Sequence, residues 1–112
     1  MAKANTFFNI DMLILSILKV SDCYGYEIIK KLSSVSNDSF TIKEGTLYPI
    51  VHNLLKKGYI TSYDVIAGKR IRVYYHIENA GIEYLEGTVS DFKTLMHGVF
   101  DIISYGEGED NE

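Results

Sequence analysis

Arg70, Arg72, Tyr74 and His76 recur at every second position, a spacing that in an extended strand puts all four side chains on one face. Two guanidiniums, a phenol and an imidazole in such a row suit a polyanion, because the guanidinium fork matches phosphate oxygens and the rings lie against sugar or base. Protection of a hairpin edge against aggregation accounts for the same basic residues, and both readings stand at this point. Catalysis finds less support. His52, His76 and His97 are scattered, no Cys/His cluster has metal-ligand spacing, and neither a glycine-rich phosphate loop nor a nucleophile motif is present. No enzyme activity, cofactor or metal is therefore expected. The single cysteine, Cys23, has no partner in the chain for a disulfide, which points to the reducing cytoplasm and to a small core residue.

The net charge of −4 argues against nucleic acid, but its distribution reverses the argument. Residues 1–41 balance; residues 42–76 carry six bases against two acids, a net +4; residues 77–112 carry Lys93 against nine acids, a net −8. A basic middle beside an acidic end describes one polyanion-facing surface on a molecule that otherwise repels polyanions. A solvated face followed by a soluble tail is the plainer alternative. With 112 residues and 46% apolar content the chain builds one real core and is not disordered, yet it is too short for a β/α barrel of about 250 residues. The longest apolar run near the N-terminus, residues 12–18, falls far short of the ~20 residues that span a bilayer, and no signal-peptide pattern precedes it.

These side chains need elements to position them. Ile10, Leu13, Ile14, Ile17 and Leu18 form a helical stripe ending near Val20. Ser21 and Asp22 offer caps before a second helix carrying Tyr24, Ile28, Leu32 and Val35, and the polar run 33–39 ends it. Leu47, Ile50, Val51, Leu54 and Leu55 define a third helix stopped by Gly58; its start is expected near Glu44, with an exposed Pro49 in a tight first turn. The period then changes to two. Residues 59–66, the turn Ala67-Gly68-Lys69 and residues 71–77 read as a hairpin with Ile71, Val73, Tyr75 and Ile77 on its core face. Ile82, Leu85, Val89, Phe92, Met96, Val99 and Ile103 then alternate spacings of three and four, which predicts a helix over 79–105 of ~40 Å. That is too long for so small a fold to cover, so a second copy of the helix is the expected partner, with some of the stripe packing on helix one.

Helix, helix, helix, hairpin and long helix make a mainly α (α+β) winged helix-turn-helix with a two-stranded wing. The expected organisation is a DNA-binding domain over 1–77, a dimerisation helix over 78–106 and an acidic, disordered tail over 107–112. Within this order, Tyr24-Gly25-Tyr26-Glu27-Ile28, Glu44-Gly45-Thr46-Leu47-Tyr48-Pro49 and Tyr74-Tyr75 resemble three signature stretches of the PadR family of transcriptional regulators, over about residues 10–105. Length and ending resemble the short subgroup with one C-terminal helix per subunit. The resemblance implies a homodimeric regulator, a repressor in the usual case, on a pseudo-palindromic double-stranded operator. It places Thr46, Tyr48 and Pro49 at the DNA-facing end of helix three and Tyr24 and Tyr26 near the sugar-phosphate backbone, with Tyr26 the better candidate for core. Lys43 stands where the family often has serine, and Lys43, Lys69, Arg70, Arg72 and Tyr74 complete the expected DNA-binding set. The resemblance also implies release by a small aromatic or amphipathic effector between subunits, at Phe8, Val89, Phe92 and Met96. The residues themselves are met equally by a dry dimer core, the reading we take. The rival function is a winged-helix protein-interaction module without sequence-specific DNA binding.

Overall fold

A computed structural model describes residues 9–108. The order is α1 (Ile10–Val20), β1 (Cys23–Tyr24), α2 (Gly25–Val35), α3 (Glu44–Lys56), β2 (Ile60–Ala67), β3 (Arg70–Ile77) and α4 (Asn79–Glu107). The strands form one antiparallel sheet in the order β1-β3-β2, with Cys23 opposite Tyr75, Tyr24 opposite Tyr74, and the hairpin in register from Ile60–Ile77 to Ala67–Arg70. The expected two-stranded wing is the hairpin β2–β3, and β1 adds to the sheet a short third strand that the sequence reading does not include. A two-residue strand is too short to show a period in sequence, and Cys23 and Tyr24 pair here because the chain must run extended before turning into α2.

Helix α1 lies at the centre. Ile14 and Leu18 from its expected stripe are fully buried, and so are Met12 and Leu15 on the adjoining side, because α4 covers what a two-helix packing would leave open. Ile28, Leu47, Val51, Leu54 and Ile60 close the same core at 0–1% exposure. Truncating any of its large residues to alanine costs about 2–5 kcal/mol.

The ends of the helices show what the local sequence dictates. The caps expected for α2 do not serve: the N-cap is Tyr24, whose amide donates to Glu27 Oε1 at 3.4 Å, while Asp22 is engaged elsewhere. Val35 closes α2 75% exposed, since the chain turns away at Ser36 before any element covers it. Helix α3 starts at Glu44 as expected, after Lys43, whose carbonyl accepts from both Thr46 N and Leu47 N at 3.0 Å, a tightened first turn. Pro49 falls in the second turn, not the first, and is exposed as expected; it has no amide to return to the Gly45 carbonyl. Gly58 closes α3 with φ +76°, Gly58 N donating to Leu55 O and Tyr59 N to Leu54 O, a Schellman arrangement that releases the chain into β2.

Two expected packings differ. On β3 only Tyr75 and Ile77 are buried, whereas Val73 and Ile71 are 41% and 66% exposed, because the hairpin outruns the packed core and its outer half borders an open groove. Helix α4 extends two residues beyond the expected end, through Glu107, and is capped by Gly108 at φ +81°, so the proposed tail loses its first two residues to this helix end; residues 109–112 lie outside the described ones. Leu85 is buried in the subunit's own core and Ile82, Val89 and Phe92 pack against it, but Leu95, Phe100, Ile102 and Ile103 are 45–71% exposed on a helix that has left the core behind. The molecule is accordingly 65 Å long and 27 Å wide.

Candidate nucleic-acid interface

The N-terminal turns of α2 and α3 face the outer half of β3 across a groove of about 620 Å³ lined by Tyr24, Gly25, Tyr26, Glu44, Tyr48, Arg70, Ile71, Arg72, Val73 and Tyr75. Four of the expected site residues, Tyr24, Tyr48, Arg70 and Arg72, therefore converge although the chain separates them by up to 48 positions. Lys43, Thr46 and Pro49 lie exposed at the start of α3, and Lys69 at the tip of the wing. Tyr74 does not line the groove; on the sheet face it shares with Arg72 and His76 it stacks on Tyr63 at 5.7 Å and stands edge-on to Tyr24 at 5.4 Å.

Each cation is held by what it touches. Arg72, half-buried, lays its guanidinium 4.3 Å above the Tyr24 ring, so its stem is fixed while outward N–H groups stay available. Arg70, at the mouth of the turn, is exposed. Tyr26, read from sequence as the better core candidate, is 54% exposed with Lys30 Nζ 5.5 Å above its ring, because α2 turns this face away from α1.

Tyr48 takes a different place from its neighbours. A β-carbon at Gly25 would fall on the Tyr48 hydroxyl and lie 2.8 Å from its Cζ, so the glycine of one signature stretch makes room for the tyrosine of another. The ring forms the floor of the groove, and its neighbour Tyr75 has its phenol pushed up by burial and then by Tyr48. What α3 turns outward is the stripe Thr46, Pro49, His52, Asn53 and Lys56, at helical spacing. Sequence reasoning missed Asn53 and Lys56, although they are the positions that the buried Leu47, Val51 and Leu54 leave facing solvent. Glu44 adds a carboxylate to a groove otherwise lined by two guanidiniums.

Behind the groove, Asp22 accepts a hydrogen bond from Tyr63 Oη at 2.6 Å and pairs with His76 Nδ1 at 2.8 Å. The Tyr63 bond holds the Asp22 carboxyl below its ordinary range; the same bond pushes the Tyr63 phenol up to about 12, and the carboxylate raises the His76 imidazole. Burial and then Glu27 push the Cys23 thiol up, with Lys31 Nζ at 3.6 Å partly opposing them, and Cys23 is the small core residue expected. Among the described residues no group of three His, Cys, Asp or Glu side chains is arranged to hold a metal, and no helix is long and apolar enough to cross a membrane.

Three helices, a winged sheet and a long fourth helix define a winged helix-turn-helix protein. Residues 14–87 match the PadR-like family of transcriptional regulators, and the chain belongs to that family, whose members regulate transcription and are not enzymes. It is 41% identical over 100 residues to an uncharacterised protein of Lysinibacillus sphaericus, covering 88% of this chain and 90% of that one. Among solved structures it is similar to a transcriptional regulator from Clostridium thermocellum (TM-score 0.76, 35% identity, 82% of this chain and 90% of the other). A PadR family regulator from Clostridium difficile gives a TM-score of 0.73 at 34% identity, covering 84% and 97%. Bacillus subtilis PadR, solved in complex with operator DNA, shares the fold at TM-score 0.65 and 24% identity over 70% of this chain and 45% of its own.

Proposed function

We propose that this regulator binds double-stranded DNA as a homodimer and represses transcription from a pseudo-palindromic operator. The observation that carries the reading is the outward stripe of α3 standing beside Arg70 and Arg72: a polar helix face sized for a major groove, flanked by cations spaced for phosphates. Thr46, Pro49 and Asn53 face base edges, with Asn53 suited to adenine through its amide. Lys43, Lys56, Lys69, Arg70 and Arg72 meet phosphates, Tyr24 carries Arg72, and Tyr48 and Tyr74 set the walls behind them. The operator held by Bacillus subtilis PadR supports the same partner for this chain. A protein-contact module has no need of five cations gathered on and beside α3.

The exposed apolar residues of α4 supply the second half of the reading. Ile82, Leu85, Val89 and Phe92 are met by the subunit's own core, whereas half-buried Met96 and Val99 and exposed Ile103 lie on the stretch of α4 beyond that core, and a second copy of the helix is the partner that covers them. An aromatic or amphipathic effector would enter near this seam: Val89 lines a cleft of about 750 Å³ between α1 and α4, with Lys19, Glu86, Lys93 and His97 at its polar rim. Phe92 and Met96 are not among the residues lining that cleft, which favours the dry seam for them; Phe8 lies outside the described residues. The work site of such a regulator is the cytoplasm.

Footprinting on DNA from the chain's own promoter region tests the proposal. Two protected half-sites about one helical turn (~34 Å) apart are expected, and a single asymmetric site of half a turn contradicts it.

A further inference from the structure

The sheet order β1-β3-β2 places β1 and β2 on opposite edges, yet one carboxylate reaches across all three strands. Asp22 immediately precedes β1, its Oδ1 meets His76 on β3 at 2.8 Å, and its Oδ2 accepts from Tyr63 on β2 at 2.6 Å. The same face continues outward from Tyr63 to Tyr74, from Tyr74 to Tyr24, and from Tyr24 to the Arg72 guanidinium. β1 is only two residues long, and besides it this face of the hairpin is tied to the helical body by Asp22 and by the Thr61–Glu78 bond at the N-cap of α4.

Resting on the DNA-binding reading above, we infer that Asp22 is a positioning residue for DNA binding: by clamping Tyr63 and His76 it sets the angle at which the wing presents Lys69, Arg70 and Arg72 beside α3. From Tyr63 to the turn at Gly68 is five residues of strand, ~17 Å, so a twist of ~5° at the clamp moves the wing tip by ~1.5 Å, enough to break a phosphate hydrogen bond.

The clamp has a titratable half. Around the His76 imidazole stand Asp22 from the α1–β1 connection, Glu78 at the end of β3, Tyr63 on β2 and Tyr74 on β3; Lys31 of α2 turns instead to Ser21, Cys23 and Glu27. Glu78 is itself held by the Thr61 hydroxyl at 2.7 Å. All the charged neighbours are acids, so the imidazolium form is favoured and the clamp is tighter below neutral pH than above it. DNA affinity follows.

The test is equilibrium binding of the full chain to its promoter duplex at pH 6, 7 and 8 and fixed ionic strength, with Asp22→Asn, His76→Gln and Tyr63→Phe and a thermal melt of each. Wild type should weaken from pH 6 to pH 8 by up to about fivefold per subunit, the scale of an exposed ion pair. His76→Gln should be flat with pH. Tyr63→Phe should bind more weakly at every pH while keeping the slope. Asp22→Asn should bind more weakly at pH 6 and lose most of the slope, with its His76 imidazole titrating lower by NMR. Tighter binding by Asp22→Asn would show a carboxylate that merely repels phosphate and would overturn the proposal, as would wild-type affinity at pH 6 in that variant. If wild type binds no DNA at any pH, the DNA-binding reading itself falls, and this one with it.

Discussion

Alanine at Gly81 and alanine at Gly87 should move stability in opposite directions, although both glycines lie in α4 and both replacements improve intrinsic helix propensity by about 1 kcal/mol. At Gly81 the new β-carbon would fall on the Tyr59 carbonyl oxygen and lie 2.9 Å from Ile77 Cγ1. The obstacle is backbone, so no rotamer change relieves it; α4 must lift from the hairpin, straining the bond from Glu78 N to Tyr59 O, 2.9 Å long. Overpacking of about 1–3 kcal/mol and about 1 kcal/mol for the hydrogen bond outweigh the propensity gain, leaving a net loss of about 1–3 kcal/mol. At Gly87 and Gly98 a β-carbon meets nothing within 4 Å, and in the heptads set by Ile82 to Ile103 they take outer positions f and c, away from the seam. Each alanine there should stabilise by up to about 1 kcal/mol. Thermal unfolding at one fixed protomer concentration reads the contrast, with roughly 5 °C per kcal/mol for a chain of this size. A Gly87→Ala or Gly98→Ala protein that melts lower would refute the heptad register, and an unaffected Gly81→Ala would refute the packing of α4 on the hairpin.

Met96→Glu and Ile103→Glu should separate the dimer and leave a folded subunit, whereas Val89→Glu and Phe92→Glu should also damage the subunit's own core; sedimentation beside circular dichroism distinguishes the two classes. Tyr24→Leu should weaken DNA binding and depress the effect of Arg72→Ala in the double variant by about 0.5–1 kcal/mol, the worth of the cation–π contact, in a binding cycle. Glu44→Gln should tighten binding to random DNA by about 0.5 kcal/mol per subunit, the repulsion of one charge ~8 Å from a phosphate in water, as read by anisotropy. Stability has its own pH window. The raised His76 contributes stability fully below its unfolded value near 6.5 and loses it as pH rises through the raised folded value; the lowered Asp22 contributes above its unfolded value of 3.8 and loses it as pH falls through the lower folded one. Denaturant midpoints should therefore decline from pH 6 to pH 8, and His76→Gln should remove the part of that decline due to the clamp.

The helices and hairpin were legible because each buries one face of a regular period: Leu47, Val51 and Leu54 are apolar at helical spacing and are fully buried. What escaped was whatever depends on two distant segments at once. Cys23–Tyr24 is a strand only because Tyr74–Tyr75 lies beside it, and Asp22, which reads as a helix cap, is drawn off by two stronger partners on the hairpin. Ile71 and Val73 obey the alternation of a buried face yet stay exposed, since alternation reports which face a side chain takes and not how far the core extends beneath it. Tyr48 shares the start of α3 with Thr46 and Pro49, and the space left by Gly25, which no spacing in the sequence reveals, turns its ring into the groove rather than outward beside them. The convergence of Arg70, Arg72 and Tyr24 around α3 was legible in outline from the charge segregation and the resemblance of the signature stretches.

The salt dependence of binding to the promoter duplex, measured for wild type and for Arg72→Ala, tests most directly that this surface binds DNA through the wing. Log affinity should fall linearly with log salt, and because a dimer presents the arginine twice, its loss should flatten the slope by up to ~2 while keeping the preference for operator over random DNA. An unchanged slope with altered operator preference would mean that the wing reads sequence and α3 merely anchors, contradicting the account.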